Sequence, residues 1–215
     1  MKKSLIAALL LGATIVPALQ GCFPLVAAGV TTGVFATVDR RSVGTQTEDE
    51  SIEWKASARV GEKLSDKAHL NFTSYNRKLL MTGEVPSTEA KAEAERIAAT
   101  VPNVQEVYNE LAVGPASSFS NRSNDAFITS KVKSRPLDTG KFNPVHVKVI
   151  TEAGAVYLMG MLTQPEADAA INVTRHTAGV KTVVNLLEII TPAKARELDV
   201  AQSKNNGKPA EVKNP

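Results

Sequence analysis

An α+β fold built as two tandem αββαβ units, each a three-stranded mixed sheet covered by two helices, is predicted by three features of the sequence. The first is an internal repeat. Asp49-x-x-Ile52 recurs as Asp125-x-x-Ile128, the run around Gly83 recurs around Gly160, and Val104-x-x-Val107-x-Asn109-x-Leu111 recurs as Val180-x-x-Val183-x-Asn185-x-Leu187. The offset is 76 residues at the first and last matches and 77 at the glycines, which indicates one fold used twice with a small loop change. The second feature is the order of periodicities, helical then strand-like then helical then strand-like in both copies. The third is composition: 215 residues with 43% hydrophobic content suit one or two ordinary globular domains.

In the first unit Ile52, Ala56, Val60 and Leu64 lie four apart, as do Ile128 and Val132 in the second, which predicts an opening helix with one apolar face. Strands are expected over residues 69–75 and 78–85, turning at Asn76-Arg77, and over 145–151 and 155–162, turning at Glu152-Ala153-Gly154. A second helix follows over 88–99 with Ser87 as its cap, and over 165–177, where Pro165 suits a first helical position. Final strands are expected over 104–113 and 180–190, and the helix before each favours parallel pairing by a right-handed crossover. Gly83 and Gly160 are assigned to close helix packing. About seventy residues per unit is small for one core, so the two units are expected to lean on each other.

The segments outside the units read differently. Residues 1–21 have the layout of a secretory signal: Lys2 and Lys3, an apolar run from Leu5 to Leu19, then small Gly21 directly before Cys22. Cys22 is the lone cysteine, and this placement is what a lipoprotein signal peptidase needs, so Cys22 is expected to be the acylated first residue of the mature protein. An uncleaved membrane anchor is the competing reading, because apolar character resumes from Phe23 to Phe35. Against it, prolines and glycines interrupt the stretch, and Leu5 to Leu19 falls short of the ~20 residues a span requires. Residues 22–48 read as acylated terminus and polar tether, 49–113 as the first unit, 114–122 as a Pro- and Ser-rich linker, 123–190 as the second unit, and 191–215 as a disordered tail.

The αββαβ repeat, with glycine closing the second strand and Val-x-x-Val-x-Asn in the third, resembles the BON domain, a small module of bacterial envelope proteins. The likeness covers residues 49–113 and 123–190. With lipobox and tether added, the chain resembles the dual-BON-domain outer-membrane lipoproteins of the division and outer-membrane stress-associated lipid-binding family. Asp39-Arg40-Arg41-Ser42-Val43-Gly44-Thr45-Gln46, Tyr75, Val107-Tyr108-Asn109-Glu110 and Asn124-Asp125-x-x-Ile128-Thr129-x-Lys131-Val132 carry that closer likeness. The resemblance implies an anionic-phospholipid-binding factor that keeps the outer membrane impermeable, gathers at the division site and communicates with the machinery that folds outer-membrane barrels. It also implies that the first helix of the second module makes the lipid contact. Phe23 after Cys22, where an Asp would favour inner-membrane retention in the family's sorting rule, points to the outer membrane, facing the periplasm.

The residues of that helix are compatible with the role. At 100° per residue, Asp125, Ile128 and Val132 fall on one side, expected to face the sheet, while Phe127, Ser130, Lys131, Ser134 and Arg135 gather on the other. An exposed ring beside cations suits anionic headgroups, the ring entering the acyl boundary and the cations staying among phosphates. With Leu137 at its far end, this set is the candidate phospholipid contact, worth about 4 kcal/mol, or roughly millimolar affinity unaided. An acyl anchor would raise the effective lipid concentration, leaving the patch to select among headgroups. The competing reading packs Phe127 into the core or the domain interface and leaves Lys131 and Arg135 as a solvated face. Pro136 disfavours helix at Arg135 and is expected to shorten the helix by a turn.

Other chemistries find little support. The net charge of +3 becomes +1 once Lys2 and Lys3 leave with the signal, which does not suit a nucleic-acid binder. His69, His146 and His176 show no metal-ligand spacing, and neither a G-x-S-x-G elbow nor a phosphate-cradling loop occurs. No enzyme activity, cofactor or metal is therefore expected, and the chain is expected to be a monomer. The alternative to lipid recognition is a protein-interaction adaptor of the barrel-assembly machinery, since the first unit has eleven acids against eight Lys and Arg, and the second six against seven.

Overall fold

A computed structural model describes residues 39–64, 68–135 and 142–206, with side chains as far as residue 202. The first module comprises α1 (Val43–Leu64), β1 (His69–Tyr75), β2 (Lys78–Val85), α2 (Thr88–Ala98), β3 (Glu106–Asn109) and β4 (Ala112–Val113). The second comprises α3 (Phe119–Ser134), β5 (Val147–Glu152), β6 (Ala155–Leu162), α4 (Gln164–Arg175) and β7 (Thr182–Ile189), and a further helix, α5 (Pro192–Asn206), follows. Each hairpin is antiparallel and each last strand runs parallel to the second, so both modules are the predicted αββαβ unit with a mixed sheet.

The repeated Asp-x-x-Ile motif has a plain cause. Ile52 and Ile128 fill the two helix-facing cores. One turn earlier, Asp49 accepts hydrogen bonds from the backbone N–H groups of Asn76 and Arg77, at 2.8 and 2.7 Å, and Asp125 accepts from Ala153 and Gly154, at 2.9 Å each. These are the hairpin turns, where positive φ leaves N–H groups turned inward. A buried carboxylate therefore pins the opening helix of each module to its own hairpin.

The last strand of the first module is interrupted, which is why its sheet counts four strands. Leu111 turns into the core between β3 and β4, while β7 runs unbroken. The two strand-closing glycines are required by a strand rather than by a helix, which corrects the expectation from sequence. A Cβ on Gly83, whose φ is +114°, would stand 2.0 Å from the carbonyl oxygen of His69, and one on Gly160 would stand 2.3 Å from that of His146. Both obstacles are backbone atoms of or beside the neighbouring strand, and neither can swing aside.

β2 and β6 are buried along almost their whole length because both faces of each sheet are covered. Leu79, Met81 and Val85 face α1 and α2, and Val156, Leu158 and Leu162 face α3 and α4. The alternate positions Tyr75, Leu80, Tyr157, Met159 and Met161 form a third core in which the two sheets pack on each other. Polar contacts rim it: Lys148 Nζ lies 2.7 Å from Glu53 Oε1, Asn76 Nδ2 donates to Glu188 Oε2 at 3.0 Å, and Asn71 Nδ2 donates to Glu152 Oε2 at 2.9 Å.

Three expected boundaries move. The tether expected over residues 22–48 is structured from Asp39 onward, with α1 starting at Val43. Arg40, 3% exposed, donates to Glu166, Asp199 and the carbonyl of Met161; Arg41 pairs with Asp39 and Asp49 and lies 4.0 Å over the Tyr75 ring. The linker expected over 114–122 ends at Ser118, whose hydroxyl caps α3 by accepting from Asn121 N–H at 3.2 Å. The tail expected to be disordered from residue 191 carries α5, because Leu198 packs against the inter-sheet core, Ala195 is buried and Asp199 meets Arg40.

Adding a methyl at Gly83 or Gly160 is expected to cost about 3 kcal/mol or more in urea unfolding, whereas Gly61→Ala on α1, whose Cβ would meet nothing within 4 Å, is expected to raise stability by up to about 1 kcal/mol. Acid should act through Glu166. Burial works to raise its carboxyl, but the hydrogen bonds and charge of Arg40, with further bonds from Thr163, outweigh burial and hold it at about 2 against an ordinary 4.5. A lowered folded value contributes stability that is present above the ordinary value and lost as pH falls through the folded one. Native protein is thus expected to lose about 2 kcal/mol, after discounting for solvent screening, between roughly pH 5 and pH 2 from this group, and Glu166→Gln to flatten that part of the stability profile.

Candidate functional site

α3 is held in one rotation about its axis. Asp125, Ile128 and Val132 are its buried residues, and the Thr129 hydroxyl donates to that of Thr151 on β5 at 2.7 Å. The opposite side, bearing Phe119, Ser123, Ala126, Phe127, Ser130 and Ser134, faces solvent. Phe127 is 63% exposed, so the reading that sealed this ring inside the fold does not hold.

Of the residues singled out from sequence, Phe127, Ser130, Ser134 and Arg135 are exposed and Lys131 is half-buried; Cys22 and Leu137 lie outside the described residues. Phe127 and Lys131 are brought together, with Lys131 Nζ 4.6 Å from the ring centroid. Arg135 is drawn away from them. Its guanidinium donates to the carbonyl of His176 and to the Thr177 hydroxyl, and Lys131 also donates to the carbonyl of Ala178. Both cations thus cover the C-terminal end of α4, where the helix dipole favours positive charge. Each keeps further N–H groups to offer a ligand. The hydroxyls of Ser130 and Ser134 donate to carbonyls of their own helix, at 3.0 Å each, so the outward stripe is less polar than its composition implies. Pro136 follows the Arg135 cap and α3 ends at Ser134, but Arg135 itself keeps right-handed helical angles, φ −65° and ψ −33°, so the expected exclusion of helix at the residue before the proline does not hold.

The sequence reading missed Phe119. At 80% exposed it is the most exposed aromatic on α3, and it lay inside the expected linker. The signal was Ser118, a capping residue just before the helical stretch. On the first module, Trp54 on α1 is 73% exposed.

Among the described residues one group brings metal-ligand atoms together. His69, Glu84 and Glu152 have theirs within 4.8 Å of one another, and sequence spacing could not reveal this because Glu152 belongs to the other module. Burial raises the Glu152 carboxyl; the bond from Asn71 and the nearby His69 oppose that, while the charges of Glu84 and Asp125 add to it. No helix among the described residues is long and apolar enough to cross a membrane.

The family model described as BON domain matches residues 49–115 and 124–191. The outer membrane lipoprotein DolP of Haemophilus influenzae is 40% identical over 185 residues, covering 85% of this chain and 95% of that protein. A 21 kDa hemolysin of Actinobacillus pleuropneumoniae is 36% identical over 155 residues, covering 71% and 80%. The osmotically-inducible protein Y of Escherichia coli is 30% identical over 154 residues, covering 68% and 75%.

Proposed function

The chain belongs to the BON-domain family, and from that premise we propose that it is an outer-membrane lipoprotein, acylated at Cys22 and facing the periplasm, whose second BON domain contacts anionic phospholipid through the outward side of α3. Its role would be to support outer-membrane integrity and the envelope at the division site, without enzymatic activity. The similarity to a protein named an outer membrane lipoprotein, over nearly that protein's whole length, supports the location. The observation that carries the lipid reading is Phe127, 63% exposed with the Lys131 ammonium against its ring.

Phe119 strengthens the patch. Two rings at about 2 kcal/mol each and two cations at about 1 kcal/mol each give about 6 kcal/mol, or roughly tens of micromolar. The serines and Ala126 between the rings are small, so a bilayer surface can approach the helix along its length. The acyl chains supply residence and α3 supplies choice of headgroup.

A specific observation favours a second reading as well: Trp54 stands exposed on the acid-rich first module, which suits a protein such as the barrel-assembly machinery better than anionic lipid. Flotation of the whole unacylated chain, Cys22→Ser, separates the two. The whole chain is needed because an isolated module would bare the apolar inter-sheet face. Phe127→Glu is expected to lower binding to anionic vesicles at least thirtyfold, Phe119→Ser roughly thirtyfold, and Trp54→Ser to leave it unchanged. Unchanged binding in Phe127→Glu, with a protein crosslinked from residue 54, would replace the lipid reading by the adaptor.

A further inference from the structure

We propose that His69, Glu84 and Glu152 form a zinc site that bridges the two BON domains. His69 and Glu84 are paired across the β1–β2 hairpin, and His69 Nδ1 lies 3.1 Å from Glu84 Oε2. Glu152 ends β5 in the facing sheet and closes the group, with one ligand atom from each residue inside 4.8 Å of the others. Tetrahedral zinc with bonds of about 2.0–2.2 Å holds its ligand atoms about 3.4 Å apart. Small side-chain torsions therefore bring the three atoms onto one ion, and a water completes the coordination.

The charge of the site calls for a cation. Glu84 and Glu152 are each 8% exposed, and among the described residues neither carboxylate forms an ion pair with a lysine or arginine. Two buried carboxylates side by side are costly unless a proton or a metal compensates them. Neighbours already orient the ligands, as outer partners do in metal centres. Asn71 Nδ2 donates to Glu152 Oε2 at 2.9 Å, Ser117 N–H donates to Glu84 Oε2 at 3.0 Å, and the Ser117 hydroxyl is 3.4 Å from His69 Nδ1.

The donor set selects the metal. One imidazole nitrogen with two carboxylate oxygens suits zinc, whereas magnesium and calcium prefer oxygen alone. A groove of about 330 Å³, lined by Glu84, Ser117, Asn121 and Asp125 among others, brings solvent to Glu84, one of the three ligands. Because the ligands come from both modules, bound zinc fastens one rim of the inter-sheet contact, and occupancy adds to the stability of the pair.

The test is calorimetric titration of zinc chloride into the purified full chain, with the melting temperature recorded with and without zinc. One saturable site and a raised melting temperature, reversed by chelator, are expected. His69→Ala and Glu152→Gln should each weaken binding roughly tenfold or more and abolish the thermal shift. Glu152→Gln keeps the shape of the side chain and removes a buried charge, so without zinc it should melt no lower than the parent, which separates lost binding from lost folding. Absence of a saturable site, binding indifferent to both substitutions, or an equal shift with magnesium would each overturn the proposal.

Discussion

The packing of one sheet face on another is the contact on which the rest of this molecule depends. Each module has about seventy residues, too few to build a deep core. Each covers one sheet face with its own helices, and the other faces meet through Tyr75, Leu80, Tyr157, Met159 and Met161. The result is four layers, helix–sheet–sheet–helix, with three apolar cores where separate modules would have two. Both open sheet faces are consumed by this contact. What remains for recognition is the outside of the helical layers, and the exposed rings of Trp54, Phe119 and Phe127 all stand there.

A second set of contacts ties the ends of the chain to this sandwich. Arg40 reaches the start of α4 and the side of α5, and Arg41 reaches the Asp49 that holds the first hairpin turn. Buried ion pairs of this kind contribute little net stability but are costly to break on one side only. Their effect is positional: they fix where Arg40 seats and hold α5 beside the start of α4.

Much of the fold was legible because the repeat exposed it. Two copies of a weak pattern reinforce each other, and the aspartate, the core isoleucine and the strand-closing glycine each keep the same task in both modules. The site was legible in part. The wheel placed Phe127 outward because Asp125, Ile128 and Val132 are unambiguous on the other side. It could not show that Lys131 and Arg135 bend across to the end of α4, since the carbonyls they meet lie some forty residues later in the chain. α5 was missed because Ala195 and Leu198 are too few to draw a helical stripe, and Arg40 because a buried guanidinium reads as an exposed one until its carboxylates are known. Glycine at positions 83 and 160 stood out in the repeat, but the obstacle is a backbone carbonyl of another segment, at His69 or His146, which no local pattern distinguishes from a packed helix.

The clamp at Arg40 also couples distant stretches of the chain. One guanidinium holds Glu166 in the first turn of α4, Asp199 on α5 and the Met161 carbonyl near the end of β6, all more than a hundred residues away in sequence. Loss of that single side chain therefore strips a partner from three separate elements at once, and they are expected to loosen together rather than one by one.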